Sequence, residues 1–365
     1  MNIKKFGTAI SAMAIAFGLA ACGSKNAGNG SGSQDMGSQS GSAVVAKSGD
    51  MVKATMVTDQ GGVNDKSFNQ SAFEGLNEYQ DKGKIKFDYI ESHKDTDYQP
   101  NLESALDSQS DVIFTVGYAL FDATDKAAKE NPDQKYAIID NDNVNGEKNL
   151  VGIGFADHEN SFLVGYIAGM TSQTNNVGFV GGSKSAVIDR FEFGYRAGVQ
   201  AAAREKGKEI EVQVQYANSY ADQAAGKNIA NKMYQAGADV IFQAAGGTGI
   251  GVIESAKENN KYVIGVDRDQ KEEAPDNMLV STIKGVGLAV QKICDDLAAD
   301  KFPGGETVRF GLKDGDACTI AYADNDLVKK EVKDKVEELK KDIIDGKTKV
   351  PQNEKEFKEM GYDKM

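Results

Sequence analysis

Two histidines and three cysteines in 365 residues are too few for a zinc cluster, a multi-disulfide framework or most histidine-based catalysis. Positive charge is also short, with 42 Lys and Arg against 55 Asp and Glu and a net charge of -13. No basic footprint exists to offset phosphate repulsion, which excludes nucleic acid as the main partner and points to small or uncharged ligands. Beyond the N-terminus no apolar run reaches membrane-spanning length, and 27 % of residues are charged. That excludes a polytopic membrane protein and predicts a soluble body. The 40 % hydrophobic content supports a large core spread over two lobes. These absences favour binding over chemistry, with no cofactor and no metal.

The N-terminus reads as an address. Lys4 and Lys5 precede an apolar stretch from Ala9 to Leu19, and Ala20-Ala21-Cys22 follows, the order of a secretory signal peptide over residues 1–21. Leu19-Ala20-Ala21-Cys22 resembles the lipobox of bacterial lipoproteins, which implies that Cys22 is diacylated and holds the protein on the outer face of a cell membrane. Residues 22–50 are Gly- and Ser-rich, a tether with a reach of roughly 30 Å.

The body repeats itself at a spacing of about 128 residues. Asp111-Val112-Ile113-Phe114 returns as Asp239-Val240-Ile241-Phe242, and Ala128-Lys129-Glu130-Asn131 as Ala256-Lys257-Glu258-Asn259. The apolar run ending at Asp140 is echoed by one ending at Asp267. Earlier in each half, Met56-Val57-Thr58 and Val177-Gly178-Phe179-Val180 open through glycine pairs into amphipathic helices, where Phe68 and Gly75 match Phe191 and Gly198. Ser67 and Gln70 suit a capping box for the first of these helices. Strands and helices alternate in both halves, so the predicted fold is α/β, two similar parallel-sheet lobes joined by a multi-strand hinge. The first lobe is expected to span 51–157 plus about 281–302, and the second 158–280 plus about 303–350, with a polar, frayed tail over 351–365. The strand near Leu279–Thr282 and the helix after Val286 have no evident counterpart in the first repeat and read as a crossover back to the first lobe.

In open parallel sheets ligands sit beyond the carboxyl ends of the strands. Asp59, Asp140 and Asp267 fall at such ends. If the lobes face each other, Phe68 and Phe191 approach one cleft from opposite sides and sandwich a flat ring, while a carboxylate accepts from a vicinal diol. A flat base plus a diol is a nucleoside. Core packing is the competing role for either Phe, and a helix cap or turn for any of the acids. Asn69 offers a donor and an acceptor for a base edge or is a plain helix-surface residue. Gly246 and Gly247, in Ala244-Ala245-Gly246-Gly247-Thr248-Gly249, let backbone approach a ligand but fit neither a dinucleotide fingerprint nor a Walker A loop. Lys284 suits either a ribose oxygen or a counter-charge to the strand-end acids.

The run from Val57 to Gly75, with Asp59-Gln60-Gly61-Gly62 and Ser67-Phe68-Asn69, resembles the basic membrane protein family of lipoproteins. So do Val177-Gly178-Phe179-Val180-Gly181-Gly182, Arg190-Phe191-Glu192-Phe193-Gly194-Tyr195, and Gly265-Val266-Asp267-Arg268-Asp269-Gln270. The resemblance implies a type I periplasmic-binding-protein fold and a monomer that captures purine nucleosides for the permease and ATPase of an ATP-binding-cassette importer. It further implies stacking by Phe68 and Phe191, base contacts from Asn69 and Asp140, and ribose contacts from Asp59, Asp267 and Lys284. Phe193 competes with Phe191 for the stacking role, and Tyr118 stands where relatives often carry another aromatic. Some family members serve in signalling or take other ligands.

A nucleoside hydrolase or phosphorylase is the alternative from another class, a receptor for a sugar or signalling molecule a second, and a surface adhesin or immunogen a third. The run from Asp140 to Gly146 looks like a calcium loop, but Gly152 stands where its closing Glu belongs. His93 and His158 read as surface residues, and Cys294 and Cys318 as two buried thiols rather than a bridge. Residues 329–341 read as a solvated helix.

Overall fold

The computed structural model describes residues 51–364. The signal peptide, Cys22 and the tether lie outside the described residues. Twelve strands and ten α-helices follow in chain order among them: β1 Val52–Thr58, α1 Phe68–Asp81, β2 Ile85–Ile90, α2 Tyr98–Asp107, β3 Val112–Val116, α3 Phe121–Glu130, β4 Lys135–Ile139, β5 Leu150–Phe155 and α4 Asp157–Thr171. Then come β6 Asn176–Gly181, α5 Ala186–Lys206, β7 Glu211–Tyr216, α6 Gln223–Gln235, β8 Val240–Ala244, α7 Thr248–Asn259, β9 Tyr262–Gly265, β10 Met278–Lys284, α8 Val286–Ala298, β11 Thr307–Phe310, β12 Cys318–Tyr322, α9 Lys330–Ile344 and α10 Glu354–Glu359.

The central strands are apolar on both faces, the composition of a parallel sheet covered by helices on each side. They assemble into two six-stranded sheets ordered β11-β5-β4-β3-β1-β2 and β12-β10-β9-β8-β6-β7, parallel throughout except at β10/β12. The duplication in the sequence is thus a duplication of topology, and β10 is the counterpart of β5 after all. The helices that follow them exchange places. α8 buries Val286, Val290 and Ile293 in the core of the first sheet, whereas α4 buries Phe162, Leu163 and Ile167 in that of the second. Strand pairing places the whole of 278–284 in the second sheet and 307–310 in the first, so the chain crosses at Ala156, Gly285 and Gly311 rather than near 281 and 302.

The matched glycines mark the contacts of those exchanged helices. A Cβ on Gly75 would lie 2.3 Å from Gly287 Cα of α8, and one on Gly198 2.0 Å from Phe162 O of α4. Only glycine admits backbones this close.

Three local readings change. Residues beyond Pro351 are not frayed: α10 is capped by Asn353, and Phe357, 3 % exposed, packs against Phe193 and Tyr362. The solvated helix α9 buries one face through Val332, Val336 and Ile343. His158 lies in the first turn of α4, where burial pushes its imidazole down to about 4 and keeps it neutral. His93 is exposed, and Cys294 and Cys318 are free, buried thiols.

Candidate functional site

Strand-end loops of both sheets converge on a cavity of about 430 Å³. Asp59, Phe68, Asn69, Tyr118, Asp140, Phe191, Gly246, Asp267 and Lys284 all line it. Gly247 does not; it caps α7 and packs 3.1 Å from Tyr220 O, measured from the Cβ it lacks. Phe193 points away from the cavity, into the core against Phe357, with Arg196 over its ring. Tyr118 stands at the lip, about half exposed.

The two rings enter from different sheets. Phe68 is the first residue of α1, and Phe191 sits one turn into α5, braced by Phe242 of β8 at 6.2 Å. Lys284 Nζ lies 5.2 Å from the Phe68 ring centre and 5.1 Å from that of Phe191, so one ammonium touches both faces of the cleft.

Asp140 and Asp267 take the same left-handed backbone, with φ of 67° and 68°, at equivalent positions of the repeat. Aspartate tolerates this conformation better than most side chains, and it turns the chain sharply off the strand end. Lys284, 2 % exposed at the end of β10, binds Asp140 Oδ2 at 2.7 Å and Asp157 Oδ1 at 3.3 Å. Burial alone would lower its pKa, but Asp140, Asp157 and Asp267 together hold it above the usual lysine value. Lys284 thus supplies the counter-charge to Asp140, and it also lines the cavity. Burial lifts Asp59 to about 6 against donors from Gly61 and Asn69, and Asp267 to about 7 against Lys284 and Ser67; it raises Asp140 as well, despite Lys284.

The N-terminus of α1 departs from the expected capping box. Asp65 Oδ1 accepts from the backbone N–H groups of Ser67 and Gln70, and Oδ2 from the N–H and the side-chain amide of Asn69. A carboxylate is the stronger acceptor for these helix-end donors, so it displaces Ser67 from the role. Freed, Ser67 Oγ donates to Asp267 Oδ2 at 2.5 Å, from the half of the site built on the first sheet to the half built on the second. Gln270 donates to Lys66 O, and the pairs Lys66–Glu273 at 2.7 Å and Arg268–Glu74 at 3.2 Å join the same two halves.

Sequence reasoning missed Asp157, which also binds Arg190 Nε at 3.1 Å beside Phe191. It also missed Asn218, Ser219 and Tyr220, which line the cavity just after β7. The strand-end rule applied to that strand would have found the latter three.

A profile described as "ABC transporter substrate-binding protein PnrA-like", that of the Bmp family, matches residues 52–354. A CD4+ T-cell-stimulating antigen of Listeria innocua is 43 % identical over 376 residues, covering 96 % of this chain and 99 % of the relative. The ABC transporter nucleoside-binding protein BmpA of Lactococcus lactis is 41 % identical over 321 residues, covering 82 % and 89 %. Among solved structures, an ABC transporter solute-binding protein of Aeropyrum pernix superposes with a TM-score of 0.77 at 25 % identity, covering 86 % of this chain and 95 % of that one. The fold is the type I periplasmic-binding fold of such proteins, and the chain belongs to the Bmp family of ABC transporter substrate-binding proteins.

Proposed function

We propose that this substrate-binding protein captures a purine nucleoside in the cavity between the two sheets and delivers it to an importer, held to the membrane through an acylated Cys22. The observation that carries the reading is that Phe68 and Phe191, from different halves of the duplication, border one cavity together with Asp59, Asp140 and Asp267. Two aromatic faces suit a flat base, and strand-end carboxylates suit the hydroxyls of a ribose. A volume of about 430 Å³ lies within the range of small-molecule pockets, about 300–1,000 Å³. Stacking on two faces contributes about 1–3 kcal/mol each, a large share of the roughly 8 kcal/mol of micromolar affinity. Both cations lining the cavity are paired, Lys284 with Asp140 and Asp157, and Lys184 with Asp189 and Glu192, which disfavours a phosphorylated ligand.

Calorimetry with guanosine, adenosine, inosine, uridine and ribose tests the proposal. Purine nucleosides are expected to bind tightest and free ribose far more weakly. Ribose binding as tightly as guanosine would sink the stacking model.

A further inference from the structure

The loop that carries Asp267 is held from inside by a buried relay of two glutamines. Gln243 Oε1 accepts from the Ala245 N–H at 3.2 Å, and Gln243 Nε2 donates to Gln270 Oε1 at 2.9 Å. Gln270 Oε1 also accepts from the Val266 N–H at 2.9 Å, and the Gln270 backbone N–H donates to Ser281 Oγ at 3.2 Å. A Cβ on Gly265 would lie 2.8 Å from Gln270 Oε1, so the strand end leaves the glutamine its room. A backbone N–H can only donate, so Ala245 and Val266 fix which end of each amide faces them, and Gln270 must present its nitrogen on the far side. That nitrogen donates to Lys66 O at 3.0 Å.

All of these partners belong to the second half except Lys66, which precedes α1 of the first. Lys66 takes a φ of 54°, a left-handed backbone that lysine seldom enters and that persists where its surroundings hold it. The next residue, Ser67, donates to Asp267 Oδ2. One turn of the second half thus grips two consecutive residues of the first, through a carboxylate and through an amide. Asp267 lines the cavity, whereas Gln270, Lys66 and Ser67 stand behind it. The ion pairs beside this grip, Lys66–Glu273 and Arg268–Glu74, have side chains that reach solvent, where such pairs contribute little and are screened by salt. When the halves part, Gln270 keeps its bonds inside the second half and loses only the one to Lys66, so the amide stays poised to remake it.

We infer that Gln270 is a positioning residue that locks the two halves around the occupant and so sets how slowly the occupant leaves. The inference rests on the nucleoside reading above for its probe, and adds to it a residue outside the cavity that governs release.

The test is Gln270→Glu. Its side chain keeps one oxygen for the Val266 N–H and the Gln243 amide, two donors that favour the charged form at pH 8, and sets the other against Lys66 O where the donor stood. Release of radiolabelled guanosine into excess unlabelled guanosine is expected to be at least about tenfold faster than in the wild type. A second readout separates locking from mere support of the Asp267 loop. In a Cys22→Ser background, spin labels on Lys126→Cys of α3 and Lys232→Cys of α6 report the spacing of the halves at saturating guanosine, since Cys294 and Cys318 are buried. Gln270→Glu is expected to show longer and more widely spread distances than the wild type. A residue that only supports the loop would weaken binding yet leave the saturated protein as closed as before. Thermal unfolding reports whether Gln270→Glu folds; if it does not, Gln270→Met, which removes the donor without adding charge, is expected to speed release about threefold to tenfold. Release less than about threefold faster in the folded variant, or an unchanged distance distribution at saturation, would overturn the inference. So would wild-type release that accelerates about tenfold between about 0.1 and 1 M salt, because the exposed ion pairs would then be the lock. Failure of guanosine to bind the wild type would instead overturn the function proposed above.

Discussion

Lys284→Met removes the single ammonium shared by Asp140 and Asp157 while keeping a side chain of similar length between the Phe68, Phe155 and Phe191 rings. Asp157 retains Arg190 at 3.1 Å, so Asp140 is the group left bare, 9 % exposed and charged. Breaking a buried pair from one side destabilises by about 3–5 kcal/mol, and that loss is expected at pH 8 in denaturant unfolding of the ligand-free protein. The pH dependence identifies the cause. In the wild type the raised pKa of Lys284 keeps its contribution complete below the ordinary lysine value, so the contribution is lost only as pH rises through the folded pKa. The titration of the ammonium itself therefore lies outside pH 5 to 8. Asp140 is already shifted upward by burial, and without the ammonium it shifts further, so lowering the pH protonates it and relieves the uncompensated charge. The deficit of the variant should therefore shrink from pH 8 to pH 5. A deficit under about 1 kcal/mol at pH 8, or one that does not change with pH, would refute the assignment of Lys284 as the buried counter-charge.

Two further outcomes follow from other parts of the molecule. Phe357→Ala, which empties the contact of α10 with Phe193 and Tyr362, is expected to lower unfolding stability by about 3–5 kcal/mol; a loss within about 0.5 kcal/mol would mean that the C-terminal helix contributes nothing to the second core. Asp267 and Asp59 carry pKa values raised to about 7 and about 6, so they lose their acceptor charge in that order as pH falls. Guanosine affinity measured from pH 8 to pH 5 should drop by more than about tenfold, and a flat profile would show that neither carboxylate faces the ligand in its charged form.

Much of this architecture was legible because it is written twice. A single Phe on an amphipathic helix reads as core, and a single Asp after a strand reads as a turn. Phe68 with Phe191 and Asp140 with Asp267 recur at matched places, and matched places in two parallel sheets end at the same edge. What the repeat does not encode stayed hidden. Asp157 meets Lys284 only because the chain crosses between sheets on both sides of that contact, and nothing in either local sequence announces it. Ser67 and Gln70 fit the pattern of a capping box, yet Asp65, two residues upstream, outcompetes the hydroxyl because its charge binds the same amides more strongly. Phe357 is one apolar residue among Glu354-Lys355-Glu356 and Lys358-Glu359, so the segment looked too polar to fold back, although one aromatic in a prepared pocket is enough to anchor it.

The ion pairs of the cavity also belong to the connections between the sheets. Lys284 is the last residue of β10, immediately before the crossing at Gly285, and Asp157 is the first of α4, immediately after the crossing at Ala156. The third crossing is tied to the same helix, since the Leu312 N–H donates to Glu159 Oε2 at 2.8 Å. Asp140, by contrast, directly follows β4 of the first sheet, so its bond to Lys284 spans the two sheets at the base of the cleft. A rotation of one sheet against the other must lengthen or reorient that bond. A ligand donor that reached the unpartnered oxygen of Asp140 would stabilise the same carboxylate in its charged form, and with it the bond to Lys284. Filling the cavity would then be linked to the relative position of the two halves through one buried carboxylate, without a separate relay.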